Sequence, residues 1–195
     1  MKINCAGFLD RSRVNGPGER AVLWVQGCPL HCPGCFNRSL WSFKKTHLIS
    51  AEDVAETIIS LPGIDGITFS GGEPFCQALP LAEVGNLIRR EGLSVVTFSG
   101  FPAEVLFSSG RSAWRELIRV TDLLVAGPYI RDAPCGTSLC GSRNQEILHL
   151  STRIPRTAYP ERDARSVEFT ISRHGEITTT GFPEMSFFYQ KEECG

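Results

Sequence analysis

Four short apolar runs constrain this chain more than any other feature: AVLWVQ (21–26), GITFSGG (66–72), LSVVTFSG (93–100) and TDLLVAG (121–127). Each is rich in β-branched residues, lacks a helical period, and runs into glycine, as a buried strand does. Amphipathic segments lie between them. Ser50 followed by AED and then Val54, Ile58 and Ile59 predicts a capped helix stopped at Leu61-Pro62-Gly63, with Asp53 at the N3 position. LPLAEVGNLIRREG (79–92) predicts a second helix, and PAEVLFSS and RSAWRELIRV supply helical material after the third run. Strand and helix alternating at these spacings predict βαβ units on a parallel sheet. After Pro128 the pattern changes. QEILHLS predicts one more strand, RIPRTAYPERDAR a loop, and SVEFTISRHGEITTTG an antiparallel hairpin turning at His174-Gly175. The expected organisation is a single domain over 1–195, with a core of about 14–150 and residues 151–195 as an appended loop and hairpin.

Parallel α/β sheets place their sites at the carboxyl ends of the strands. Three features fall on that edge: Cys28, Cys32 and Cys35 after the first run, Gly71-Gly72-Glu73 after the second, and Ser99-Gly100 after the third. Bulk charge offers no competing guide, because 20 basic and 21 acidic side chains leave a formal net charge of -1. No general field for nucleic acid or a membrane surface follows from it. No apolar run approaches the roughly 20 residues of a membrane span, and the opening residues MKINCAGFLDRSRVNG lack a signal-peptide apolar region, so the expected compartment is the cytoplasm.

Eight cysteines in a cytosolic chain point to metal or redox chemistry rather than a disulfide framework. GCPLHCPGC (27–35) gathers three of them with spacers of three and two residues. A closed zinc site takes four ligands, usually as two separated pairs, and His31 between two of the cysteines is a poor fourth. Three thiolates on an iron–sulfur cluster leave one iron free for a small molecule, and that reading is favoured, with zinc as the alternative.

CxxxCxxC after the first strand, with GGEP at 71–74, resembles the radical S-adenosylmethionine (SAM) superfamily. More narrowly, VNGPGERAVLWVQGCPLHCPGCFN (14–37) resembles the N-terminal signature of the glycyl radical enzyme activating proteins. TFSGF (97–101), TDLLVAGPYI (121–130) and CGSRNQEIL (140–148) are similar to segments of the activating proteins of anaerobic ribonucleoside-triphosphate reductase. The resemblance implies an incomplete parallel (βα) barrel of the radical SAM type with the C-terminal β hairpin appended. It implies a [4Fe-4S] cluster on Cys28, Cys32 and Cys35, and SAM held near Gly71, Gly72 and Glu73. The two glycines would let backbone approach the methionine amino group, with Glu73 beside that ammonium; Ser99 and Gly100 would face the adenosine end and Phe36 the adenine. The implied reaction is reductive cleavage of SAM to a 5′-deoxyadenosyl radical, which makes a glycyl radical on a partner enzyme, anaerobic ribonucleotide reductase. The electron would come from a donor such as flavodoxin or ferredoxin. Two positions depart from the pattern: Gly34 replaces the aromatic usual before the third cysteine, and Asn15 stands where the signature usually has Asp.

Plainer readings apply elsewhere. Cys135 and Cys140 are expected to be free thiols, with a second cluster or a redox pair as alternatives. His31 is expected to be a solvated loop residue, and Trp24 and Trp114 core residues. Three functions remain open: an activating enzyme, a stand-alone radical SAM enzyme acting on a peptide or small molecule, and a zinc-binding interaction module.

Overall fold

The computed structural model describes residues 1–135, 139–158, 166–171, 174–175 and 177–181. The chain opens with a strand that no simple period announces. β1 (Lys2–Ser12) pairs antiparallel with β2 (Arg20–Val25) and, on its other edge, with β3 (His47–Ser50). Two register shifts, between Cys5 and Gly7 and between Leu9 and Ser12, break its in-and-out alternation, so a period of two does not survive along it. After β3 the elements follow expectation. Ser50 accepts the Asp53 N–H at 3.0 Å and caps α1 (Ala51–Ser60). There follow β4 (Gly66–Gly71), α2 (Ala78–Arg90), β5 (Ser94–Ser99), α3 (Ala103–Ser108), α4 (Ser112–Val120) and β6 (Leu123–Ala126). β7 (Glu146–His149) pairs with β6, and β8 (Val167–Ile171) with β9 (Ile177–Gly181) in the expected hairpin. Residues 153–158 of the expected loop carry neither helix nor strand, and 159–165 lie outside the described residues.

The sheet runs β3-β1-β2-β4-β5-β6-β7. Its centre is parallel, β2 to β4 to β5 to β6, and its flanks are antiparallel. The expected incomplete parallel (βα) barrel is seen as a mixed sheet with a parallel centre and antiparallel flanks; among the described residues β3 and β7 stand at its opposite edges. The antiparallel flanks have a simple cause: β1 and β7 reach their neighbours through loops rather than through crossover helices.

The two faces have different fates. Leu23, Val25, Ile67, Phe69, Val95 and Leu124 pack against the apolar stripes of α1, α2 and α4, in one core that includes Val54, Ile58, Leu81, Ile88 and Leu117. From the opposite face Trp24, Ser70 and Phe98 point into a cavity. Beneath the far end of the sheet, Arg20 is 1% exposed and donates to the carbonyls of Pro17 (2.9 Å), Ile67 (3.2 Å) and Ser94 (2.7 Å), which locks the amino ends of β2, β4 and β5 together. Burial lowers its pKa to about 10, so it is charged at neutral pH.

Asp122, fully buried, joins three layers: its carboxylate accepts from the Val95 N–H at 2.8 Å, from Arg89 on α2, and from Ser151. Removing it leaves the buried Val95 N–H unpaired and takes from Arg89 its carboxylate, leaving it the Val120 carbonyl. Asp122→Ala is expected to lower the unfolding free energy by about 3 kcal/mol, measured by urea titration.

Candidate metal centre

The cysteine loop is closed at its neck by backbone. Gly27 N–H donates to Leu40 O at 2.8 Å and Cys28 N–H to Trp41 O at 3.1 Å. One side chain braces the neck from below: Gln77 Nε2 donates both to Gln26 O and to Asn4 O, each at 3.0 Å. Inside the loop His31 (φ 48°) and Gly34 (φ 77°) take left-handed backbone, and the Cys35 N–H reaches Cys32 O at 3.1 Å. Amides also point at sulfur. The Leu30 and His31 N–H groups serve Cys28, and the Asn37 N–H lies 3.4 Å from Cys35 Sγ. Burial pushes the Cys28 thiol above its usual range, the Leu30 amide pulls against it, and the charge of Glu73 adds to it.

This donor set fits a thiolate-bound soft metal: all three cysteines are free and partly exposed, and amide donors stand ready for two of the sulfurs. Among the described residues no three His, Cys, Asp or Glu side chains converge on a position for one ion. A cluster does not require that, because each thiolate takes a different iron. His31 lies with its ring 4.6 Å from that of Trp41 and is exposed, as a solvated loop residue.

The Gly71-Gly72-Glu73 turn is stitched to the same neck, Gly72 N–H to Val25 O at 2.8 Å and Glu73 N–H to Gly27 O at 2.9 Å. Packing within the chain is one reason for these glycines. A Cβ on Gly72 would stand 2.4 Å from Gly27 O, and one on Gly71 (φ 101°) 2.7 Å from Val25 N, so close packing on β2 already forbids a side chain. Glu73, expected beside a ligand ammonium, is held by protein donors. It is fully buried, with Oε1 accepting from the Phe75 N–H and the Ser99 hydroxyl, both at 3.0 Å, and Oε2 from the Gly100 N–H at 2.8 Å. Burial raises its pKa to about 7, against the pull of those three donors. Glu73, Ser99 and Gly100 thus come together as one internal bridge between the ends of β4 and β5. Leu30 of the cysteine loop rests against Gly100, its Cδ1 2.4 Å from where a Cβ would stand.

Phe36 is 43% exposed, with its ring 5.1 Å from that of Tyr129. It shares with Cys35, Trp24, Ser70 and Phe98 a cavity of about 830 Å³, within the usual size of ligand sites. Trp24 is therefore a cavity wall rather than the expected core residue, whereas Trp114, 5% exposed, is core. Gly34 has a local explanation in its positive φ; a Cβ there would also stand 2.6 Å from Arg131 Nε, so that exposed side chain would have to move aside. Two further contributors lack a sequence signature. Asn37 reaches both Cys35 and, at 3.4 Å, Gly71 O. Cys76 lies on the turn after Glu73 and is exposed. The expectation of free thiols at Cys135 and Cys140 is corrected, since the two form a disulfide across a five-residue separation that brings them together.

Residues 14–148 match the family described as "4Fe-4S single cluster domain". The chain is 33% identical over 149 residues to the anaerobic ribonucleoside-triphosphate reductase-activating protein of Vibrio cholerae, covering 71% of this chain and 92% of that one. It belongs to the radical SAM family of glycyl radical enzyme activating proteins. The protein of the same name from Enterobacteria phage T4 is 30% identical over 141 residues (69% and 86% covered). The pyruvate formate-lyase-activating enzyme of Clostridium pasteurianum is 30% identical over 118 residues, 57% of this chain and 46% of that enzyme. Family membership thus supports an iron–sulfur enzyme and leaves β8–β9 outside the matched span.

Two outcomes are expected of Glu73→Gln. Its amide must turn an N–H toward either the Phe75 or the Gly100 N–H, so the variant loses about 1–3 kcal/mol of stability despite its equal size, read from the melting temperature. The second concerns pH. The folded-state pKa of about 7 exceeds the ordinary 4.5, so Glu73 contributes stability that is fully present below 4.5 and lost as pH rises through about 7. Wild type measured against Glu73→Gln is expected to decline across that window and to be flat above it.

Proposed function

We propose that this protein generates a glycyl radical on anaerobic ribonucleotide reductase, using SAM and a [4Fe-4S] cluster held by Cys28, Cys32 and Cys35. The observation that carries the reading is the neck-closed thiol loop whose last cysteine, Cys35, opens onto the cavity of about 830 Å³. The names of its relatives support the reductase as partner. Cys28, Cys32 and Cys35 would hold the cluster, which when bound would supply the electron for reductive cleavage of SAM and so the radical that would take a glycine Cα hydrogen.

The chain's own part is to position and exclude. The loop neck fixes the thiols, the Glu73 bridge fixes the turn that flanks them, and Trp24, Phe36 and Phe98 give the cavity apolar walls that keep water from a reactive carbon. The mixed sheet is read as the partial βα barrel of the superfamily, with the cavity on its inner face. Flavodoxin or ferredoxin is the class of electron donor, and the reducing cytoplasm the compartment in which such thiolates persist. A second reading, a radical SAM enzyme acting on a free peptide or small molecule, draws on the hairpin that borders the cavity from outside the family span.

The test is anaerobic. Cluster-reconstituted protein, reductant, SAM and the reductase are combined, the EPR spectrum is recorded, and 5′-deoxyadenosine is assayed in the same sample. A glycyl doublet with deoxyadenosine is expected, and Cys35→Ser is expected to abolish both. Deoxyadenosine without the doublet selects the second reading; neither product from a cluster-loaded sample overturns both.

A further inference from the structure

The family match stops at residue 148, whereas the hairpin begins at Val167. A two-stranded hairpin is marginal in water by itself, so its position depends on what it grips. Thr180, 8% exposed, grips Asn15: Asn15 Nδ2 donates to Thr180 Oγ1 at 2.8 Å, and the Thr180 hydroxyl lies 3.2 Å from Asn15 Oδ1. The same Nδ2 donates to Ser12 Oγ at 2.8 Å, and the Asn15 carbonyl accepts the Thr68 hydroxyl of β4 at 2.7 Å. Asn15 is thus anchored to the sheet on one side and to the hairpin on the other. Two more contacts follow the same seam. Gly181 (φ 105°) sits on Val14, whose Cγ2 is 3.2 Å from where a Cβ would stand, and Glu168, opposite Thr180, adds to the hold of Glu19 in raising the pKa of Arg13.

The result is a wall. Thr178, Thr179, Thr180 and Gly181 line the same cavity as Cys35 and Phe36. We propose that the hairpin is a substrate-selecting wall of this cavity and that Asn15, latched to Thr180, is the residue that positions it. This rests on the activating-enzyme reading, which already supplies a glycine-containing peptide segment as what the wall faces. Such a segment has the narrow cross-section a walled cavity admits, and threonine hydroxyls can bond its backbone amides whatever its side chains are. The amide at position 15 suits the latch because it offers a donor and an acceptor together. A carboxylate, as in the related signature, has no donor to offer and brings a charge that two hydroxyls would have to solvate.

The test compares Thr180→Val, which keeps the shape and loses the hydroxyl, with Thr180→Ser, which keeps the hydroxyl, in the full cluster-reconstituted chain. Hydrogen exchange followed by mass spectrometry is expected to quicken about 3- to 10-fold across β8–β9 and in the facing residues 34–40 for Thr180→Val, the range set by one or two lost hydrogen bonds, with Thr180→Ser matching wild type. With SAM and the reductase, the ratio of 5′-deoxyadenosine to glycyl radical is expected to rise by a similar factor in Thr180→Val. Unchanged hairpin exchange overturns the latch. Faster hairpin exchange with an unchanged ratio overturns the selecting wall. If wild type forms no deoxyadenosine, the activating-enzyme reading fails by itself, and protection of residues 34–40 then decides the wall: quickened exchange there supports it and unchanged exchange overturns it.

Discussion

A carboxylate with no water around it organises the functional edge of this molecule. Glu73 closes the gap between two parallel strands that otherwise separate beyond their ladder: its oxygens collect one hydroxyl and two backbone N–H groups, from β5 and from the turn that starts the next helix. Its own N–H is bonded to Gly27 O, so the cysteine loop hangs from the same residue. Burial makes the carboxylate costly, and three donors offset only part of that cost. A buried acid satisfied this way fixes geometry more firmly than an apolar side chain would, because each oxygen must find its own partner. Arg20 does the corresponding work at the amino ends of the same strands, so the parallel centre is clamped at both extremities.

Between those clamps the sheet has two faces with different tasks. The helix side is a continuous apolar core. On the other side Trp24, Ser70 and Phe98 alternate with the core residues of their strands and line open space. This division turns the strand ends into a platform: the rigid side supports, and the cavity side receives what the thiol loop is to act upon.

Much of this is legible in the residues alone. β2, β4, β5 and β6 leave only Trp24, Ser70, Gly71 and Phe98 partly exposed, so they read as nearly unbroken apolar runs, and the cysteines, Glu73 and Ser99 fall at their carboxyl ends as expected. β1 is hidden because its bulges scramble the alternation, and β3 because four edge residues with half their side chains exposed carry little pattern. Roles are harder to read than places. Nothing local shows that Glu73 turns inward to Ser99 and Gly100, since that depends on how far apart two strands end. Trp24 poses the same difficulty: the period of its strand shows that it faces away from Leu23, but not that its side of the sheet is hollow. The meeting of Asn15 with Thr180 spans 165 residues and has no signature in either segment.

Gln77 gives the N-terminal strand an unexpected importance. Its amide divides its protons between Asn4 O on β1 and Gln26 O at the foot of the cysteine loop, while the Asn4 N–H returns a bond to Gln77 Oε1 at 2.7 Å. β1 lies wholly before the matched span of 14–148. A chain trimmed to that span would retain every thiol and every glycine of the site, yet lose the strand that fixes the orientation of Gln77. The boundary of the homologous region and the boundary of the mechanical unit are therefore not the same line.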